Sequence, residues 1–139
     1  MDGFTNPTRK SFGAFRALPG SEPVHMLNLV RLRDKAVYED GREATGAEAY
    51  AAYGRESGPI FAGLGGRIVW SGAFELMLIG PEDEQWDLCF VAEYPTADAF
   101  IAMVKDPEYQ KAVVHHTAAV SDSRLVRTKP RTPGAGFGQ

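Results

Sequence analysis

Cysteine is almost absent from this chain. Only one of its 139 residues, Cys89, is a cysteine, so no disulfide can form within the chain. Cys89 lies in an apolar stretch without a cationic neighbour that would lower the pKa of its thiol, and such cysteines usually pack as small hydrophobic side chains. We therefore expect an unreactive buried thiol and a protein of the reducing cytoplasm.

The chain also lacks an excess of positive charge and a long hydrophobic run. It carries 15 Lys and Arg against 18 Asp and Glu, a net charge of −3, whereas a nucleic-acid-binding domain presents a basic stripe. The longest apolar runs, such as residues 24–30, are far shorter than the roughly 20 residues that cross a bilayer. The N-terminus has no apolar signal-peptide core. We expect neither a nucleic-acid partner nor a membrane partner.

Metal-binding and nucleotide-binding motifs are missing as well. His115 and His116 are adjacent, so on a helix their side chains diverge by about 100° and cannot bind one ion together. The only other histidine is His25, and no Cys-x-x-Cys or His-x-Glu spacing occurs. The glycines at 63–66 lack the lysine of a phosphate-binding loop. The sequence therefore predicts no metal site and no cofactor.

What the chain does have is the composition of one globular domain, with 44% hydrophobic and 24% charged residues. Residues 1–20 contain two prolines and three phenylalanines and are expected to form an N-terminal arm. Residues 21–128 are expected to form a single ferredoxin-like domain. Residues 129–139, rich in proline and glycine, are expected to be a flexible C-terminal tail.

Periodicity and capping signals predict the elements of that domain. Thr45 and Glu48 form a capping box that begins a helix, in which Pro59 is expected to cause a kink. Asp106-Pro107 begins a later helix, after one capped by Thr96. Strands are expected at residues 24–30, 67–79 (with a bulge at 71–72), 86–94 and 124–127. The order β-α-β-β-α-β predicts a ferredoxin-like α+β fold, an antiparallel sheet with its helices on one face.

Apolar residues occur on both faces of the predicted strands. Side chains alternate across a strand, so one layer of helices cannot cover them all. Examples are Met26, Leu29, Trp70, Phe74, Leu88 and Phe90, which cannot all point at the same helices. An uncovered patch of this size is unusual for a monomer. We therefore expect a homodimer that forms through the sheet face and leaves a pocket in each half.

Several segments resemble one known family. These are Glu93-Tyr94-Pro95, the helix from Ala97 to Phe100, Asp106-Pro107-Glu108-Tyr109-Gln110, the closing Asp122-Ser123-Arg124-Leu125, and Gly65-Gly66-Arg67 before the second strand. Together they resemble the bacterial family known as domain of unknown function (DUF) 1330, over roughly residues 24–128. The resemblance implies a dimeric α+β barrel, a superfamily that also contains cofactor-free monooxygenases, haem-degrading enzymes and lactone isomerases. His116 departs from the pattern, because an arginine is common at that position.

Four residues are candidates for catalysis: Asn28, Trp70, Glu93 and His116. Asn28 lies in an apolar strand, where it is either a hydrogen-bonded structural amide or a pocket donor. Trp70 either packs in the core or the dimer interface, or lines a pocket because a nearby bulge changes the direction of its side chain. Glu93 either pairs with Arg67 or Arg124, or faces a cavity as an acid or base. His116 is either a core histidine or a general base.

Tyr53 and His115 are candidate ligand contacts, with the helix–sheet core as the alternative place for Tyr53. Two functions are compatible with this set. The first is a homodimer that binds a small apolar or aromatic metabolite without turnover, and the alternative is a cofactor-independent monooxygenase or isomerase. Convergence of Asn28, Glu93 and His116 on one cavity would favour the enzyme.

Overall fold

The computed structural model describes residues 3–139. Its elements are α1 (Arg9–Ala17), β1 (Val24–Leu32), α2 (Gly46–Gly63), β2 (Arg67–Gly72), β3 (Leu88–Tyr94), α3 (Ala97–Lys105), α4 (Pro107–Ala119) and β4 (Val120–Thr128). The four strands form one antiparallel sheet with the order β2-β3-β1-β4. The β-α-β-β-α-β order and the α+β class are confirmed, and the second helix of that order is divided into α3 and α4. An additional helix, α1, precedes the first strand.

The helix boundaries follow from side chains that cap free backbone amides. At α2, the Glu48 amide donates to the Thr45 hydroxyl at 3.0 Å, and the Thr45 amide donates to the Glu48 carboxylate at 2.9 Å. This predicted capping box is confirmed. Asp106 accepts from the amide of Glu108 at 2.7 Å, with Pro107 at the first helical position. The helix α2 continues through Pro59 to Gly63.

The sheet has one face covered by helices and one open face. Val24, Met26 and Val30 of β1 are buried beneath the helices, so the even-numbered residues of β1 and their partners in β3 point to the helices. The alternate residues, His25, Leu27 and Leu29, lie on what we call the open face.

The core lies between the helices and the covered face of the sheet. One cluster joins β1 and β3 to α3 through Met26, Tyr94 and Phe100, and Phe12 and Phe15 of α1 pack against it. The second cluster includes Val30 and residues at the junction of α4 and β4. Among the described residues, no helix is both long and apolar enough to cross a membrane.

The strand predicted over residues 67–79 is too long. β2 ends at Gly72, which pairs with Cys89, and residues 73–79 form a loop. The strand stops because β3 begins at Leu88, one residue beyond that pair, and offers no further length of backbone to bond. The expected bulge lies earlier than predicted, between Ile68 and Trp70.

Candidate functional site

The sheet separates the four catalytic candidates into two groups. Asn28 pairs with Phe90 of β3, on the helix-covered face, and His116 lies on α4 above that face. Trp70 pairs with Val91, and Glu93 pairs with His25, both on the open face. Asn28, Glu93 and His116 therefore do not converge on one cavity within a single chain.

A polar row crosses the open face at one end. Arg67, Glu93 and His25 stand opposite one another in the strand register. The Glu93 carboxylate accepts from Arg67 Nε at 2.7 Å and lies 2.7 Å from His25 Nε2. The hydrogen bond from Arg67, with a second contribution from His25, lowers the pKa of Glu93. Glu93 is thus an ionised carboxylate, and of its two suggested partners it is Arg67 that forms the ion pair.

An apolar band adjoins this polar row. The next row of the register contains Trp70, Val91, Leu27 and Val126, one residue from each strand, and the row after it contains Gly72, Cys89, Leu29 and Arg124. Trp70 is 52% exposed and Val126 is 46% exposed. The bulge between Ile68 and Trp70 places the indole on this face, because without it residue 70 would fall on the helix side. The open face is therefore apolar across all four strands in the row of Trp70, and Arg124 bounds the band on β4 in the row after it.

The interior between the helices and the sheet contains a tyrosine–histidine cluster. The hydroxyls of Tyr53 on α2 and Tyr109 on α4 share a hydrogen bond of 2.7 Å. The His116 ring lies 4.9 Å from the Tyr53 ring and 6.0 Å from that of Tyr50, measured between centroids. Asn28 lies on the sheet below, where its side-chain amide donates to the Met26 carbonyl at 3.0 Å. Of the six candidates, Asn28, Tyr53 and His116 share this layer.

Burial keeps the groups of the tyrosine–histidine cluster neutral. Desolvation lowers the pKa of His116 to about 4 and raises that of Tyr50 to about 12. It also raises the pKa values of Tyr53 and Tyr109. No hydrogen-bond partner of the His116 ring is found in the part of the chain from residue 3 onward. An uncharged imidazole in such a site can accept a proton at neutral pH, as a weaker base than an ordinary histidine because its pKa is lowered.

His115 lies outside this cluster. Its Nδ1 is 2.7 Å from the Tyr38 hydroxyl, and its Nε2 is 2.7 Å from the Glu56 carboxylate. The imidazole therefore joins α4 to α2 and to the segment that follows β1. Because His115 directly precedes His116 on α4, its side chain points about 100° away from that of His116 and contacts different residues.

We expect His115→Ala to destabilise the fold by about 1–3 kcal/mol, because it leaves the buried Tyr38 hydroxyl without its partner. Urea unfolding measures the change. Glu56→Ala is the control and should cost less than about 1 kcal/mol, because the Glu56 side chain is 49% exposed. Equal effects of the two variants would contradict the assignment.

Sequence reasoning missed two residues of these arrangements, namely His25 and Tyr109, whereas Arg67 was one of the two partners predicted for Glu93. His25 comes next to Glu93 only through the strand register, which the turn lengths alone did not determine. The signal for Tyr109 was present, since it falls on the inward stripe of α4. In residues 3–139 no group of His, Cys, Asp and Glu is arranged to hold a metal ion.

A surface cavity of about 370 Å³ is lined in part by Tyr38, the partner of His115. It is formed by the segment from Val37 to Arg42 and the outer side of α4, including Gln110, Val113 and Thr117. It contains none of the six candidate residues.

Comparisons with known proteins agree with this fold. The family model "Domain of unknown function (DUF1330)" matches residues 41–128. The crystal structure of the methylated RPA0582 protein is 61% identical with a TM-score of 0.94, and the match covers 97% of this chain and 100% of that one. Another structure of RPA0582, a protein of unknown function from Rhodopseudomonas palustris, is 60% identical with a TM-score of 0.90, covering 94% and 99% of the two chains.

A more distant similarity is to SnoaB, a cofactor-independent oxygenase from Streptomyces nogalater. It is 16% identical with a TM-score of 0.50, and covers 81% of this chain and 96% of that one, which indicates a shared fold. Comparison with curated proteins gave no match. The family match over most of the ferredoxin-like domain and the identity with RPA0582 place this chain in the DUF1330 family.

Proposed function

We propose that the protein is a homodimer, formed through the open face of the sheet, that binds a small apolar or aromatic metabolite between the two sheets. The apolar band across the four strands, with Trp70 and Val126 about half exposed, is the observation that carries the proposal. Covering such a band with a second copy removes apolar surface from water. An isologous pair of sheets covers both bands at once.

The polar row at the end of the band supports the choice of ligand. An aromatic body would pack on Trp70 and Val91, while an acid, hydroxyl or carbonyl group would meet Arg67 and His25. Glu93 holds these two side chains in place through its contacts with Arg67 Nε and His25 Nε2, each at 2.7 Å. The single buried, unpaired Cys89 supports the cytoplasm as the compartment.

Val126→Glu should convert the dimer to monomers, because it places a carboxylate in the apolar band. We expect a cost of about 3 kcal/mol, or a roughly 100-fold weaker dimer. Sedimentation velocity at micromolar concentration measures it. Val114→Glu is the matched control, since Val114 is 53% exposed on the outer side of α4. A wild-type protein that sediments as a monomer would refute the dimer.

Thermal-shift measurements with aromatic acids, quinols and haem as probes test the ligand. A compound that binds the folded protein raises its melting temperature. The shift should be lost in Arg67→Ala and kept in Arg42→Ala, whose guanidinium pairs with Asp40 far from the row. An absence of any shift across the panel would refute ligand binding between the sheets.

The second candidate function is cofactor-independent acid–base catalysis in the tyrosine–histidine cluster. One observation favours it, namely a neutral His116 ring packed against the Tyr53 ring, whose hydroxyl shares a hydrogen bond with that of Tyr109. In this case substrate would enter between α2, α4 and the sheet, with His116 as the base. The same probe panel, followed for product and for oxygen consumption, distinguishes the two functions, because turnover should vanish in His116→Phe.

A further inference from the structure

The loop of residues 73–79, between β2 and β3, is the most exposed apolar segment inside the domain. Leu76 is 74% exposed, Leu78 is 83% exposed and Ile79 is 90% exposed. Phe74 and Met77 are partly exposed, and Glu75 is the only charged residue of the seven. Solvated leucine and isoleucine side chains in such a row are unusual on a free monomer and mark a surface that contacts something else.

This segment has the sequence of a strand but no strand beside it. Its alternation of large apolar residues predicts a continuation of β2, yet the last residue of β3 that pairs with β2 is Cys89, and β3 begins only one residue earlier, at Leu88. Across the described sheet, the other outer edge belongs to β4, which is far from β2 in the strand order. Part of that edge is also taken by the N-terminal segment, where the Gly3 amide donates to the Ser121 carbonyl at 2.7 Å.

Both ends of the loop are held in place. Gly72 is fixed in the sheet opposite Cys89. On the far side, Arg31 donates to the Gln85 carbonyl at 3.1 Å, and Arg124 lies 3.3 Å from Glu84 and stacks over the buried Trp86 ring. The loop is therefore a projection with a firm base, which lowers the entropy lost when it meets a partner.

We propose that residues 73–79 of each copy lie across the open face of the other copy in the homodimer. This inference rests on the dimer proposed above and identifies which segment completes its interface. The loop leaves the sheet at Gly72, one register row from Trp70, so it is continuous with the apolar band. A two-fold axis that places the two bands together brings each loop to the partner's sheet.

The dimensions fit this arrangement. Because the chain is held at Gly72 and again at Glu84, the eleven residues between them must go out and return, and they reach about half of their extended length, roughly 18 Å, while four strands spaced by about 4.8 Å span roughly 14 Å. The loop is thus long enough to cross the width of the partner's sheet. The side chains of the loop are mostly apolar, like those of the band that they would contact. The one charged residue, Glu75, lies near the end of the loop that leaves the sheet.

The double variant Leu78→Asp/Ile79→Asp tests the proposal. Both side chains are solvated in the single chain, so the fold should survive, which circular dichroism checks. We expect a dimer at least tenfold weaker by sedimentation equilibrium. Val37→Asp is the control, an apolar loop residue that is 61% exposed on another side of the molecule. Hydrogen exchange of the amides of residues 73–79 should also slow as the protein concentration rises from the monomer to the dimer range.

The outcomes separate this inference from the dimer itself. If Val126→Glu dissociates the protein while the double loop variant has the wild-type dissociation constant, the dimer stands and the loop contact is wrong. Exchange at residues 73–79 that does not change with protein concentration would overturn the contact as well. A monomeric wild-type protein would overturn both proposals.

Discussion

Gly46→Ala should destabilise the protein by about 2–3 kcal/mol, although alanine is the better helix former. A Cβ at position 46 would lie 1.9 Å from the carbonyl oxygen of Arg33, which is backbone and cannot swing aside. The backbone there is also pinned on both sides. The Gly46 amide donates to the Asp34 carbonyl at 3.2 Å, and the Arg33 amide donates to the Ala119 carbonyl at 2.8 Å. Gly46 is thus required for space at the start of α2.

Gly54→Ala, in the same helix, is the matched substitution, and it should have the opposite effect on stability. A Cβ at this position meets nothing within 4 Å. Alanine should therefore stabilise the protein by about 0.5–1 kcal/mol, through the smaller backbone entropy of the unfolded chain. Urea unfolding of both variants measures the difference. Two glycines that behave alike would show that the approach of Arg33 to α2 is not a constraint.

The sequence predicted the elements that depend on local signals. The Thr45–Glu48 capping box and the Asp106-Pro107 helix start are local hydrogen-bonding patterns, and each occurs where expected. Helix α1 was missed because its capping box uses Ser11 in place of the usual Glu or Gln. The strand predicted through residue 79 was wrong because a strand needs a neighbour as well as a propensity.

The candidate site was harder to predict because it depends on register. Asn28 lies in the middle of β1 and Glu93 near the end of β3, and a shift of one residue in the pairing of these two strands would bring both side chains to the same face. Trp70 faces the open side only because one extra residue is inserted after Ile68. A bulge near Trp70 was expected from Ser71-Gly72, but its position decides which face the indole occupies. Residue types alone do not supply that position.

The stability of the protein should fall as the pH is lowered from about 6.5 to 4, and His116 should account for about 3 kcal/mol of the loss. The pKa of His116 is lowered by burial to about 4 in the folded protein, from 6.5 as the ordinary value. Between these values the unfolded chain binds a proton at this residue and the folded chain does not. Protons therefore favour unfolding throughout this window, by about 1.4 kcal/mol for each unit of pKa difference.

His116→Phe isolates this contribution. The variant keeps an aromatic ring beside Tyr50 and Tyr53 but has no group that titrates there. Between pH 7 and pH 4, we expect the free energy of unfolding of the variant to fall by about 3 kcal/mol less than that of the wild type. Urea unfolding at a series of pH values measures this difference in pH dependence. A difference in stability between the two proteins that is the same at every pH does not affect it.

His25→Gln is a control for one of the two histidines that contact a carboxylate, namely His25 with Glu93 and His115 with Glu56. Glu93, whose pKa is lowered by Arg67 and His25, also loses stabilisation as the pH falls, but it does so below its ordinary value of 4.5 and is unchanged in His116→Phe. Parallel pH profiles for the wild type and His116→Phe would mean that the imidazole has the same pKa in the folded and the unfolded protein. In that event burial would not keep the ring neutral down to pH 4, and the placement of His116 in a desolvated interior between the helices and the sheet would be wrong.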